Sequence, residues 1–329
     1  MAASAPPLFT RQKVTRHDQR VFLIRLLGVA VLLTAGITAQ IYGGPIGVGL
    51  GVLILACTYT HMVELQHQCL HHSAFRTARW HRIVGVPLGL PLLVSYSDYR
   101  VRHLQHHRFL GTPNDSEFFG FDTRQPITWK TLLLGAFDYI RLVRVLNAIG
   151  ASILGRWTYT SGQISPRRRA DVIQEYRLMA ILLTALIAAC ALGAWQEVLL
   201  LWFVPLLLAA PIHFLVELPE HVLCEADTDD VLRNTRSITG SRLSTWFTNG
   251  NNLHVEHHAA MAVPLNRLRA RHSEVLKLAR HVDHSYPDFY WRILKIATHN
   301  TLRTPPARTD TTTTSAEQPT PQEFRWLRF

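Results

Sequence analysis

Four stretches of the chain are apolar for close to the length a bilayer demands: residues 21–43, 46–65, 178–194 and 198–216. A helix needs about 20 mostly apolar residues to cross the hydrocarbon layer. The third stretch is short, and the fourth contains Pro205 and Pro211, which membrane helices tolerate better than soluble ones. Short connectors at 44–45 and 195–197 pair the stretches, predicting two hairpins of spanning helices, 21–65 and 178–216. The first run follows Arg11, Lys13, Arg16 and Arg20. It is longer than a signal-peptide core and lacks a small-residue cleavage site, so it is expected to be retained.

Between the hairpins the pattern changes. Residues 83–94 are apolar but interrupted by Pro87 and Pro91, too short to span, and expected to dip into the membrane interface. Residues 129–154 mix apolar patches with Asp138, Arg141 and Arg144, which predicts one amphipathic helix lying on lipid. The tail from Thr304 is rich in Thr and Pro and is expected to be disordered. The organisation predicted is a basic segment 1–20, a hairpin 21–65, a segment 66–177, a hairpin 178–216, a cap 217–303 and a tail 304–329. The fold class is an all-α integral membrane protein with four transmembrane helices in two hairpins and a helical cap.

Charge orients these elements. The chain has 34 Lys and Arg against 23 Asp and Glu, a net charge of +11. The cations flank the apolar runs rather than covering a soluble domain with stacking aromatics, so no nucleic-acid partner is expected. The two short connectors carry no Lys or Arg. The positive-inside rule therefore places both termini, the central segment and the cap in the cytoplasm, with a bacterial inner membrane as the expected location. Cys57, Cys69, Cys190 and Cys224 show no paired spacing, which excludes a disulfide framework or zinc ribbon.

On this side fall three histidine clusters: His67 and His71; His103, His106 and His107; His254, His257 and His258. Residues three and four apart share a helix face, so each cluster aims its imidazoles at a common point. With 18 His in 329 residues, chance gives His-x-x-His-His about 0.05 times, and it occurs twice. A structural zinc site takes four ligands and a catalytic one three, so eight imidazoles indicate two metals. An all-nitrogen set without thiolates favours iron.

These clusters resemble the three histidine boxes of the membrane fatty acid desaturase and hydroxylase superfamily. Val263-Pro264 after the third cluster is similar to the family pattern, and Glu220-His221 stands where a further histidine is expected at the end of the fourth helix. The resemblance covers residues 45–270 and implies His221 as a ninth ligand. It implies two iron ions, O2 as co-substrate, and external electrons from a ferredoxin or cytochrome b5 with its reductase. It implies desaturation of a fatty acyl or other lipid chain drawn from the bilayer. A hydroxylase or carotenoid-type ketolase on the same scaffold is the nearest rival, and a His-rich metal transporter the rival of another class. The first box departs from the family in having Gln68 where an acidic residue is usual, and the third in Ala259-Ala260-Met261 after its His pair. No His-Pro-Gly-Gly signature of a fused cytochrome b5 domain is present, so the donor is expected to be a separate acidic protein. Its docking is expected near Arg100, Arg102, Arg108 and the arginines of 267–271, where contact with lipid headgroups is the plainer alternative.

Further residues are candidates for supporting roles. Glu64, replacing the missing acid of the first box, Asp115 and Glu256 could orient ligands from behind. His61 and His213 are candidates for lining a substrate channel, since ionisable groups at membrane depth are costly; a His61–Glu64 hydrogen bond is the alternative. Asn251 and Asn252 are expected to hold a bridging water or to cap a helix. His72 lies one step off the face of the first cluster. His81, His272, His281, His284 and His299 read as surface residues.

Overall fold

The computed structural model describes residues 12–112, 114–116 and 121–303. The expected disorder of the tail from Thr304 concerns positions outside the described residues. The chain begins with two long antiparallel helices, α1 (Arg16–Tyr42) and α2 (Gly44–Leu70), joined at Gly43. Then come α3 (Arg79–Gly89), α4 (Tyr96–Phe109), α5 (Trp129–Ala136) and α6 (Ile140–Ile153). A second long pair follows. It consists of α7 (Pro166–Ala191) and a continuous helix over Trp195–His221, itself built from α8 (Trp195–Val198), a π turn and α9 (Val204–His221). The remainder packs at the far end of α2 and α9 as α10 (Val231–Asn234), β1 (Arg236–Ile238), α11 (Arg242–Phe247), α12 (His254–Ala259), α13 (Leu268–Val275), β2 (His281–Asp283) and α14 (Tyr286–Arg303). Among the described residues the fold is all-α apart from the three-residue parallel pair β1–β2.

Among the described residues four helices are long and apolar enough to cross a membrane, and this is a multi-pass membrane protein. Of the apolar window of α2, 61% is buried, against 17% for α1, so α2 is the central helix. It meets α1 through glycines. A Cβ on Gly51 would lie 2.4 Å from the Gly36 carbonyl oxygen, so only glycine permits this close approach.

The helices are longer than the apolar runs at one end. The third run, short at 178–194, lies in a 26-residue helix capped at Ser165, whose hydroxyl accepts from the Arg168 amide. The polar turns of α7 are held by the central segment. Buried Glu175 accepts from Ser95 Oγ (2.8 Å), from the Ser97 amide (2.8 Å) and from Arg82 Nε (3.0 Å). Tyr176 donates to Asp98 at 2.7 Å. These bonds set the start of α4, which carries the second histidine cluster.

The prolines of the fourth helix follow one rule. Each proline removes the donor for the carbonyl four residues earlier, and here each freed carbonyl accepts a tyrosine hydroxyl. Pro205 frees Leu201, which accepts from Tyr59 (2.6 Å). Pro211 frees Leu207, which accepts from Tyr139 (3.2 Å). Pro219 frees Leu215, which accepts from Tyr290 (2.5 Å). Neighbouring elements thus satisfy the backbone that lipid could not, and the π turn at Leu199–Phe203 absorbs the first proline.

Three expectations need correction. Residues 129–154 form two helices, not one; the chain breaks after Ala136, and Tyr139 leaves the helix to reach Leu207. His81 is buried: it accepts from the Phe75 amide at 3.0 Å, and its ring stacks on that of His72 at 4.6 Å. His272 is not a free surface residue, because its Nδ1 donates to buried Glu256. His281 is half-buried in β2, while His284 and His299 are exposed.

Candidate metal centre

All nine histidines expected as ligands converge at the cap end of the bundle. His67 and His71 end α2; His103, His106 and His107 lie along the last two turns of α4; His221 ends α9; His254, His257 and His258 occupy α12. They sort into two groups. In the first, His67, His71, His103, His107 and His257 bring one nitrogen each within 4.8 Å of one another; in the second, His106, His221, His254 and His258 do the same. The groups adjoin, with the His107 and His258 rings stacked at 4.1 Å.

In the first group Nε2 of His67 lies 2.6 Å from Nε2 of His103, and Nε2 of His107 lies 3.1 Å from that of His257. The second group is braced from outside. His106 Nδ1 donates to the Asp115 carboxylate (2.9 Å), His221 Nδ1 to the Asn234 carbonyl (3.1 Å), and His254 Nδ1 to Asn251 Oδ1 (3.1 Å). Asn251 is oriented in turn, because its amide donates to Glu220 Oε1 at 2.7 Å. Carboxylate, carbonyl and amide oxygen can only accept, so the ring proton sits on Nδ1 in all three histidines. Each Nε2 then carries a lone pair and faces inward. Nε2 of His254 and of His221 stand 3.1 Å apart with no proton between them. Two lone pairs at that distance repel, and a cation between them removes the repulsion. Burial pushes the His71, His107, His254, His257 and His258 imidazoles well below their ordinary pKa, and the neighbouring imidazoles push them further. They are neutral at pH 7, the form that binds metal. The donor set therefore fits two metal ions.

A sequence profile of the family described as fatty acid desaturase matches residues 43–290. The chain belongs to the fatty acid desaturase family. Among relatives, an acyl-lipid (9-3)-desaturase of Physcomitrium patens is 22% identical over 288 residues, covering 79% of this chain and 54% of the relative. An sn-1 oleoyl-lipid 12-desaturase of Arthrospira platensis is 23% identical over 256 residues, covering 72% of this chain and 70% of the relative. An oleoyl-12-hydroxylase of Ricinus communis is 27% identical over 115 residues, or 35% of this chain and 29% of the relative. The chain thus spans about half the length of the Physcomitrium desaturase it matches.

The supporting residues fall out unevenly in this desaturase-family chain. Asp115 backs His106. Glu64 and Glu256 turn elsewhere: Glu64 lies 3.8 Å from His213 Nε2, and Glu256 accepts from Ser237 and His272, tying α12 to β1 and α13. His61 and Glu64 do not pair. His61 Nδ1 donates to the Phe247 carbonyl at 2.7 Å, and the ring stacks on Trp246. His213 also approaches Glu217, at 3.3 Å. Asn251 orients a histidine, and Asn252 donates to the Ile238 carbonyl at 2.7 Å; neither caps α12, whose N-cap is Leu253. Gln68, the departure in the first box, accepts from Asn249 Nδ2 at 2.9 Å and donates to the Ser73 carbonyl. Two residues escaped the sequence reading as site components. Glu220 Oε2 lies 3.3 Å from His254 Nε2, and Asn249 reaches back to the first box; only the Glu-His pair at 220–221 gave a signal for either. Of the six expected donor-docking arginines, three are engaged: Arg102 pairs with Asp98, Arg267 with Asp18 and Arg271 with Glu274. Arg100 is half-buried, and Arg108 and Arg269 are exposed.

Proposed function

We propose that the nine imidazoles hold two iron ions, five around one and four around the other, and that the protein is an O2-dependent lipid desaturase. The facing Nε2 lone pairs of His221 and His254, with both Nδ1 protons committed to Asn234 and Asn251, carry this reading. When bound, iron supplies O2 reduction and hydrogen abstraction from unactivated C–H bonds. The protein's part is to keep each imidazole neutral, in one tautomer and in one orientation. Asp115, Asn234 and Asn251 do this for the second group, and Glu220 adds an acidic oxygen beside it.

The substrate is the acyl chain of a membrane lipid, as in the names of the Physcomitrium and Arthrospira relatives. The reaction removes two hydrogens from adjacent carbons; O2 takes these together with two electrons and two protons, leaving two waters and a double bond. The Ricinus relative supports a second reading, in which oxygen is retained as an alcohol. The spans form two hairpins with the histidines and cap on the cytoplasmic side of a bacterial inner membrane. An acidic ferredoxin or cytochrome b5 docks over that face, at Arg108. Expression in a host followed by mass spectrometry of total lipids is the test. A new acyl species lighter by two hydrogens is expected; one heavier by an oxygen selects hydroxylation, and an unchanged profile with iron bound refutes both.

A further inference from the structure

Away from the metal centre, three arginines line one open pocket. Arg25 of α1, Arg242 of α11 and Arg269 of α13 enclose about 440 Å³ with Thr245 and Trp246. Among the described residues none of the three is in an ion pair. Arg25 Nη1 donates to the backbone and side-chain oxygens of Asn249, at 3.0 Å to the backbone. Arg269 Nη1 reaches Thr245 Oγ1 at 3.4 Å. Guanidiniums gathered without a carboxylate repel one another, and an anion between them relieves this, most strongly if it accepts the forked hydrogen bonds phosphate offers.

The pocket lies where the lipid-facing surface of α1 begins. Leu27 and Val31, just beyond Arg25, are 64% and 60% exposed, and Leu243, next to Arg242, is 73% exposed. Trp246 lies close over Gly28, 3.7 Å from where a Cβ would stand, a placement suited to an indole at the headgroup level. Deeper along the same helix, Ala30, Val31, Thr34, Ala35, Thr38 and Ala39 line an apolar groove of about 690 Å³. Ten helical residues extend about 15 Å, enough for much of an acyl chain. A cationic pocket and an apolar groove in line on one spanning helix match an amphipathic anion.

We propose that Arg25, Arg242 and Arg269 bind the phosphate of an anionic glycerophospholipid whose acyl chain lies in the groove over residues 30–39 of α1. The site goes beyond the desaturase reading and rests only on α1 spanning the membrane. The basic rim and apolar groove together select a lipid over a soluble anion, as basic pockets among membrane helices do elsewhere. Arg25 also grips Asn249, so an occupied pocket bears on the loop that leads into the third histidine cluster.

The full chain, purified in neutral detergent, is tested by thermal unfolding and by lipid titration. Phosphatidylglycerol should raise the unfolding midpoint above that in phosphatidylcholine. An Arg242→Gln, Arg269→Gln double variant should bind phosphatidylglycerol roughly tenfold more weakly while unfolding in phosphatidylcholine like the parent. Ala35→Phe, which leaves the arginines in place, should weaken the same preference by filling the groove. Equal stabilisation by both lipids overturns the proposal, as does a double variant that keeps the preference. Inorganic phosphate matching phosphatidylglycerol would mean a soluble anion, and the lipid assignment would fail.

Discussion

Asn249 donates its side-chain amide to Gln68 Oε1 across 2.9 Å, joining the first histidine cluster to the loop before the third. The same amide donates to the Glu64 carbonyl at 3.1 Å, and the backbone of Asn249 sits at φ +55. Asparagine is among the few non-glycine residues that adopt this conformation readily. Asn249→Gly keeps the backbone and loses the bonds; Asn249→Ala loses both. Stability should fall from parent to Gly to Ala, the last step by about 1 kcal/mol, with bound iron falling in the same order. Unchanged melting and iron content in Asn249→Ala would remove the tether from the site.

The tyrosine–proline pairs of the fourth helix predict a specific cost. Tyr59→Phe, Tyr139→Phe and Tyr290→Phe each leave a proline-freed carbonyl unsatisfied, which costs about 1–3 kcal/mol when buried. Replacing the matching proline by alanine restores the helical donor. Each double variant, such as Tyr139→Phe with Pro211→Ala, should therefore recover much of what the tyrosine change lost, as read by unfolding in detergent. No recovery in any of the three would separate the hydroxyls from the prolines.

Metal content follows the two groups of nitrogens. Purified protein should carry two irons per chain, one for each group, and a chelator that strips them should lower the unfolding midpoint. His107→Ala combined with His258→Ala, which face each other across the groups, should abolish binding and turnover while the protein still inserts. Asp115→Ala should weaken the second group by about 10–100-fold in affinity, and Asp115→Asn, which still offers an acceptor, by less. Full iron in the double variant would move the centre elsewhere.

Topology can be read with reporter fusions. A fusion at Trp195, the first residue of α8, should report the exterior. Fusions after Gly111 and after Arg269 should report the cytoplasm, because the connectors between paired helices carry no Lys or Arg. An exterior signal at Gly111 would divide the histidine clusters across the membrane.

His81 makes stability depend on pH. Burial lowers its pKa from 6.5 to about 4; the Ala78 carbonyl acts against this and the Arg100 charge adds to it. In the folded protein its Nε2 accepts from the Phe75 amide, so the folded form excludes the second proton. The unfolded chain takes that proton up near pH 6.5. Stability is therefore full above pH 6.5 and declines as pH falls from there toward 4, by on the order of 3 kcal/mol. His81→Gln should flatten this part of the pH profile. A profile as steep as the parent's would assign the loss to other groups.

Much of the architecture was legible in the residues themselves. In lipid every backbone polar group must be satisfied within the segment or by protein, so spanning helices announce themselves as long apolar runs. The spacing of His103, His106 and His107 is equally local, as is that of His254, His257 and His258, but the expectation that each cluster serves one common point fails: His106 parts from His103 and His107, and His257 from His254 and His258. His221 was reachable only through family resemblance, since nothing around it repeats.

What the tertiary structure alone decided concerns partners far apart in the chain. Gln68 and Asn249, Tyr290 and Leu215, Glu256 and His272, and Arg267 and Asp18 each pair across distances that leave no periodic trace. The break at residues 137–139 belongs here too, because a tyrosine drawn out of a helix by a distant carbonyl looks locally like any amphipathic residue. The division of nine histidines into five and four is of the same kind. Helical spacing says which imidazoles share a face, but the packing of α2, α4, α9 and α12 fixes which faces meet, because a side chain's partners are set by where whole helices come to rest.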